Sequence, residues 1–580
     1  MGIGPVPTLV PRPGPSFGAR DLAARPPGAH RIAGATGALA LDRERRLRTL
    51  LGESARILDA RRPGALVADA DGCQLDGAPV ASEAALLGAV RAGRLAALEG
   101  AFALAWTDDA GALHLARDPI GHRTLYYALH QGRLVFASRL RALAEAFELP
   151  RRIDLRSVAA FLSYAYVPGR ATMIEGIFEV LPGEIVSLDA DGQLARAPFW
   201  ELPADPPPIS DEAELRALLR AELERVIGGM LPAGVPVCAS LSGGIDSSLV
   251  VAIARRLHAP PVRTFSIAFG GEHRNELPFS SLVAAHTGTE HRIVELSPAA
   301  IAAHLDDTIG RMDKPNGDPL TVPNALLFRE MSAHGAVALN GEGGDPCFGG
   351  PKNIPMLLAE LYGDGGDGGD AADPAYARER SYLRAHAKCY DDLAAMLTPD
   401  AYAAACTPPL EHDLAPWFRD PARPSFVGTL MAINVRFKGG HHILPKVDAL
   451  SAPFGVLPRS PLFSRPIVEL AFRIPATLKL AGAVEKYLLK ESVRDLLPDE
   501  IVDRPKSGML VPVEGWFQGP LVAEARARVL DGLGALPLFR RPMLEQLLAG
   551  KRLGLRPRRG VKLWLLITLE AHLRLLGLRA

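Results

Sequence analysis

The 580-residue chain is more informative at first for what it has little of. It has no net charge, because Lys+Arg and Asp+Glu both number 65. No global field draws it to nucleic acid or to an anionic membrane surface, so neither is expected as a partner. Cysteine is scarce: Cys73, Cys238, Cys347, Cys389 and Cys406 lie far apart. They form no CxxC pair and no His/Cys cluster at metal-ligand spacing. An odd number at wide spacing fits reduced thiols and a cytoplasmic location. No run of about 18 apolar residues suggests a membrane span. The apolar stretch 561–576 carries Lys562, Glu570, His572 and Arg574, which predicts a packed C-terminal helix instead. The first 29 residues are rich in Pro, Gly and Arg and lack the apolar core of a signal peptide.

What remains is the composition of an ordinary globular enzyme, 48% hydrophobic and 22% charged. At about 100–200 residues per domain, the length implies two to four domains. Residues 1–29 read as a flexible extension. Residues 30–200 show short apolar runs at 101–106, 113–116, 124–127 and 134–137, cut by turn residues, which predicts strand–turn–strand texture. The Pro-rich 201–212 region is the best linker. Beyond it, 213–580 begins with helical periodicity and a buried strand at 235–241. A Ser/Gly loop, a helix through Arg256 and an apolar run at 262–269 follow. Strand–helix–strand order with Gly at the strand end predicts a doubly wound parallel sheet. Residues 363–373 (GDGGDGGDAAD) form a low-complexity loop, and the texture after 375 is mostly helical.

The chemistry is concentrated in Ser240-Leu241-Ser242-Gly243-Gly244-Ile245-Asp246-Ser247-Ser248. A strand delivers the loop to the sheet edge. The glycines let backbone approach a phosphate, and the next helix offers unpaired N–H groups and its positive dipole end. Ser242, Ser247 and Ser248 add hydroxyls. Asp246 would repel a phosphate without an intervening cation, so it reads as a Mg²⁺ ligand. The Walker pattern GxxxxGK[ST] is absent here. SGGxDSS instead resembles the pyrophosphate loop of N-type ATP pyrophosphatases, which implies ATP as the cosubstrate.

Further motifs in order carry a wider resemblance. Thr264-Phe265-Ser266-Ile267-Ala268-Phe269, Met312-Asp313-Lys314-Pro315 with Asp318-Pro319, Gly341-Glu342-Gly343-Gly344-Asp345, Glu485-Lys486 and Arg504-Pro505-Lys506-Ser507-Gly508 follow one another. Over roughly residues 30–575 the chain resembles the asparagine synthetase family. The resemblance implies an N-terminal Ntn-hydrolase-like, β-rich sandwich followed by an ATP-pyrophosphatase domain. It implies that Leu241, Ser242, Gly243, Gly244, Asp246, Ser247, Ser248 and Gly341 hold the ATP phosphates and that backbone near Ile267 holds adenine. Asp246 and Asp345 would hold Mg²⁺. Lys506 would stabilise charge developing during adenylation, and Glu342 would take a proton from the attacking amine.

Departures from the family pattern bear on the substrate. His30 stands where an active family glutaminase has its mature N-terminal Cys, and no N-G-E-I-Y-N segment is found. Yet Leu98-Glu99-Gly100-Ala101-Phe102-Ala103 and Ala116-Arg117-Asp118-Pro119-Ile120-Gly121 keep the scaffold motifs. This predicts a glutaminase domain without its nucleophile. Pro346 replaces the acidic residue after the motif Asp, and Leu457 and Ser464 replace two family carboxylates. Glutaminase-less relatives include β-lactam synthetases, carbapenam synthetases and lasso-peptide macrolactam cyclases. A Gly-Gly-Asp followed by a non-acidic residue is most similar to the last. The expected substrate carries both a carboxylate and an amine, preferentially a peptide, with a precursor-processing protease or leader-binding protein as partner. Amidation of a small acid with ammonia and β-lactam-type ring closure stay open, as does a pseudo-enzyme scaffold, against which Asp246, Asp345 and Lys506 argue. Cys347 reads as packing and His441-His442 as structural.

Overall fold

The computed structural model describes residues 8–9, 31–37, 39–80, 82–204, 211–270, 276–350, 374–482, 484–505, 511–550 and 559–579. Lys506, His30 and the 363–373 segment lie outside them. Of the 1–29 extension only β1 (Thr8–Leu9) is described.

The N-terminal lobe contributes β2 (Ile32–Ala35), β3 (Arg56–Ile57), β4 (Leu66–Leu75), β5 (Ala78–Pro79), β6 (Leu98–Thr107) and β7 (Leu113–Arg117). It continues with β8 (Tyr126–His130), β9 (Arg133–Ala137), β10 (Phe178–Glu179), β11 (Glu184–Leu188) and β12 (Leu194–Pro198). Two sheets form, in the orders β10-β8-β9-β2-β3 and β12-β11-β7-β6-β4-β5. Strand β11 alternates buried and half-buried side chains, the period of two that a strand with one packed face requires. Ile32, Tyr127 and Phe136 from the first sheet bury against Val67, Leu115 and Val186 from the second, so the lobe is a sandwich. Each such side chain contributes roughly 1.5–3 kcal/mol by leaving water.

Asp211 opens the second lobe by accepting hydrogen bonds from the Ala213 and Glu214 amides, which fixes the start of helix Glu212–Met230. Strands β13 (Val237–Ser240), β14 (Val262–Ala268), β15 (Glu290–Glu295), β16 (Val337–Leu339) and β17 (Leu457–Arg459) follow. With β1 they form one sheet in the order β1-β15-β14-β13-β16-β17, parallel at every pairing. Parallel neighbours need crossovers, supplied by helices such as Ile245–Leu257 and Leu277–Thr287. The chain steps outward from β13 to β15 and then returns to the other side of β13 with β16. The strand order therefore reverses between β13 and β16, and the crevice at their C-terminal ends is where sheets of this kind bind ligands.

The lobes are joined by buried charge. Glu179 accepts from Arg117 at 2.7 Å, from Lys314 at 2.5 Å and from His441 at 3.0 Å. Arg123 reaches Asp448 at 2.6 Å, and Arg139 reaches Asp313 at 2.8 Å. The C-terminal helix Arg559–Leu575 is buried along most of its length, as the pattern predicts. Its charges are paired inside the fold: Lys562 with Asp392 at 2.6 Å and Glu570 with Arg528 at 3.0 Å. Among the described residues no helix is long and apolar enough to cross a membrane.

Candidate active site

Strand β13 ends at Ser240, and the predicted loop follows it into helix Ile245–Leu257. The loop is braced from within. Ser247 Oγ accepts from the Ser242 amide at 3.1 Å and donates to the Gly244 carbonyl at 3.2 Å, while the Gly244 amide donates to Ser242 Oγ at 3.3 Å. The Leu241 amide donates to the Phe265 carbonyl at 2.8 Å, tying the loop to β14. Ile267 lies two residues beyond Phe265, the register partner of Ser240, so β14 runs past the end of β13 beside the loop. Ser248 is fully buried, and its amide donates to the Gly244 carbonyl at 3.1 Å.

The second motif follows β16. A Cβ on Gly341 would lie 2.5 Å from the Ser247 amide nitrogen, and one on Gly344 would strike the Asp246 carboxylate. Only glycine lets the two loops approach this closely. Asp345 lies in the first turn of the short helix Gly344–Phe348. Pro346 occupies that turn too, where a missing N–H is tolerated. Cys347 is wholly buried, its thiol donates to the Leu462 carbonyl at 3.6 Å, and burial pushes its pKa far up, as packing predicts.

Asp246 and Asp345, expected as a pair, are brought together by a residue to which sequence reasoning assigned no role. Lys486 Nζ lies 2.5 Å from Asp246 Oδ2 and 2.6 Å from Asp345 Oδ1. Its side chain is 0% exposed, against 14% and 19% for the two carboxylates. Lys486 adopts a left-handed backbone (φ 57, ψ 33) at the start of helix Tyr487–Val493. That conformation costs a non-glycine residue on the order of 1–3 kcal/mol and persists where surroundings enforce it, often at functional sites. The signal available in the sequence was the Glu485-Lys486 motif. Its partners lie 141 and 240 positions away, beyond the reach of local pattern reading.

Glu342 is half-buried, and its amide donates to Asn340 Oδ1 at 3.0 Å. Nearby, Lys446 Nζ pairs with Asp318 Oδ2 at 2.8 Å. Burial pushes the Asp318 carboxyl up, but Lys446 and His442 outweigh this and hold it well below the usual carboxylate range. Asp313 and Lys314 thus grip the N-terminal lobe, while Asp318 pairs with Lys446 within the C-terminal lobe. Arg504 donates to the Gly243 carbonyl at 3.3 Å and to Glu276 at 2.5 Å, and stacks 3.8 Å over Phe279. Its neighbour Lys506 lies outside the described residues, so the expected catalytic lysine has no geometry here. His442 Nε2 meets Asn316 Oδ1 at 3.1 Å and its ring stacks on Tyr166, so the histidine pair is structural, as expected.

Two residues that replace family carboxylates are also placed. Leu457 opens β17 opposite Val337, at the end of the strand away from the phosphate loop. Ser464 lines the cleft between the lobes with Asp71, Arg123 and Arg459. The backbone of Leu462 and Phe463, next to Ser464, packs against Gly343 of the second motif.

Oxygen ligands, a glycine-lined approach and a helix N-terminus meet at the strand-order reversal of an α/β scaffold, an arrangement suited to phosphate. A family model described as asparagine synthase matches residues 218–574, and one described as a glutamine amidotransferase domain matches residues 85–200. The chain belongs to the asparagine synthase family, and is an ATP-dependent, amide-bond-forming ligase of asparagine synthetase type. It is 26% identical over 447 residues to asparagine synthetase [glutamine-hydrolyzing] 1 of Bacillus subtilis, covering 73% of this chain and 70% of that one. It is 28% identical over 464 residues to a putative asparagine synthetase of Mycobacterium bovis, with 74% and 70% covered. It is 23% identical over 482 residues to amidase chry2 of Gibberella zeae, with 73% and 71% covered. A solved ammonia-dependent NAD synthetase from Campylobacter jejuni superposes on 30% of this chain and 75% of its own, at 17% identity and a TM-score of 0.18.

Proposed function

We propose that this ligase adenylates a carboxylate and joins it to an amine of the same molecule, closing a macrolactam, and that its N-terminal lobe does not hydrolyse glutamine. The observation that carries the second half is the fate of cysteine in that lobe. His30 replaces the expected nucleophile. Cys73, the only cysteine before residue 200, is 6% exposed, and burial with Asp71 and Asp118 pushes its thiol up to about 12. A thiol so held is not a thiolate near neutral pH. The amidotransferase match also begins at residue 85, downstream of His30.

The residues fit Mg²⁺: Asp246 and Asp345 offer two hard oxygen ligands, and this ion characteristically takes one or two carboxylates plus substrate phosphates. Bound there, it would offset charge on the departing pyrophosphate. Ser242, Ser247 and the Gly244 region would orient the phosphates, and Arg504 would steady the loop through Gly243. Glu342 would accept a proton from the attacking amine, and Lys506 would stabilise charge on the α-phosphate. An amine in the same molecule replaces a second substrate by effective concentration. Substrate class rests on the Gly-Gly-Asp-Pro motif and the inert N-terminal lobe. If a ribosomal peptide is the substrate, a processing protease or leader-binding protein is the expected partner.

The test compares linear Asp- or Glu-bearing peptides with aspartate plus ammonium or glutamine, in the presence of ATP and Mg²⁺. AMP release with loss of one water from the peptide is the expected result. AMP formed only with a small acid and ammonium would sink the cyclase reading while keeping adenylation.

A further inference from the structure

We infer that Lys486 is the resident cation of the nucleotide-free site, so that a divalent metal enters only together with nucleotide phosphates. The inference deepens the ATP and Mg²⁺ reading above and rests on it only for the nucleotide arm.

Four observations converge. First, the Lys486 ammonium lies between the two carboxylates expected to hold the metal, 2.5 Å from one and 2.6 Å from the other. A cation already fills the position a bridging ion would take. Second, Lys486 is fully buried while both carboxylates keep some exposure, so the lysine approaches from the protein side and leaves the solvent side to the ligand. Third, its backbone is held left-handed and begins helix Tyr487–Val493, which fixes where the side chain starts. Fourth, among the described residues no group of three or more His, Cys, Asp or Glu side chains is placed to hold a metal ion. Two carboxylates alone leave most of the octahedral shell of Mg²⁺ to other oxygens.

The electrostatics select the order of events. Among the described residues, the ammonium of Lys486 offsets part of the attraction that the Asp246 and Asp345 carboxylates hold for a cation. A free dication would sit against the ammonium, where like charges at close range repel strongly. A nucleotide adds negative charge and several oxygens at once. Asp246 and Asp345 would then share the ion with the phosphates, and Lys486 would be released to pair with phosphate charge. Metal affinity is thereby coupled to nucleotide affinity, and the coupling is reciprocal.

The probe is Mn²⁺, followed by the electron paramagnetic resonance signal of the free ion, with the full-length protein without nucleotide. Wild type should bind Mn²⁺ weakly. Lys486→Gln should bind it at least about tenfold more tightly without nucleotide, because the competing cation is gone. Lys486→Gln combined with Asp345→Asn should lose that gain, which places the ion between the carboxylates. Equal nucleotide-free affinities in wild type and Lys486→Gln would overturn the inference. If Lys486→Gln does not fold, wild type still decides: a non-hydrolysable ATP analogue should tighten Mn²⁺ binding at least about tenfold. Mn²⁺ bound as tightly without the analogue as with it would equally overturn the inference. Failure of the analogue to bind any variant would instead count against the ATP reading, and the nucleotide-free comparison would stand unaffected.

Discussion

The two lobes use buried charge in opposite ways. In the N-terminal lobe, Arg117 and Glu179 are both 0% exposed, and each has several partners. Lys314 and His441 of the synthetase lobe add to Glu179, so the charges are satisfied by the fold itself. Burial pushes the Glu179 carboxyl up, but Lys314, Arg117 and His441 together hold it well below its ordinary range. In the synthetase lobe, Asp246 and Asp345 keep partial exposure and share one lysine on a strained backbone. A cluster saturated by fixed partners stabilises a structure. A cluster whose carboxylates share a lysine at a strand-order reversal and keep some exposure is poised to exchange that partner for a ligand. The N-terminal lobe has thus kept the scaffold of its family, including the buried Arg117 and Asp118 turn, with its charges committed to docking.

Breaking the saturated cluster should have the largest effect. Glu179→Gln leaves Lys314, Arg117 and His441 without their shared carboxylate, and should cost about 3–5 kcal/mol in denaturant unfolding. Turnover per folded molecule should stay near wild type, which separates docking from chemistry. Asp246→Asn attacks the other cluster. AMP release should fall at least about 100-fold while the unfolding midpoint moves little.

A pH series sharpens the contrast further. Burial holds His572 down at about 3 and His291 at about 4, against an ordinary 6.5. Between those values the unfolded chain binds protons that the folded chain excludes. Stability is therefore fully present above 6.5 and declines as pH falls toward 4. Thermal melts at stepped pH should show that decline, and His572→Leu should flatten part of it. The smallest effect is expected at Cys73. Cys73→Ala should leave AMP release unchanged with or without glutamine, and a glutamine-dependent loss would mean that the thiol takes part in catalysis.

Much of this was legible in the sequence because it is local. The phosphate loop is one contiguous strand–loop–helix segment, and its spacing alone placed Asp246 at a helix start. Strands β6, β7 and β9 follow the apolar runs closely. Strand β8 begins at Tyr126, later than the run starting at Thr124, whose Oγ1 donates to the Ser138 carbonyl at 3.0 Å. What the sequence hid depends on contacts between distant positions. Lys486 meets Asp246 from 240 residues away. Lys446 meets Asp318 from 128 away.

The most direct test of the division between the lobes is to count AMP and glutamate in the same reaction, with a linear acidic peptide, ATP, Mg²⁺ and glutamine present. The account predicts AMP in step with loss of one water from the peptide, and no glutamate above background. Glutamate released one-for-one with AMP would contradict it, because the N-terminal lobe would then be a working glutaminase.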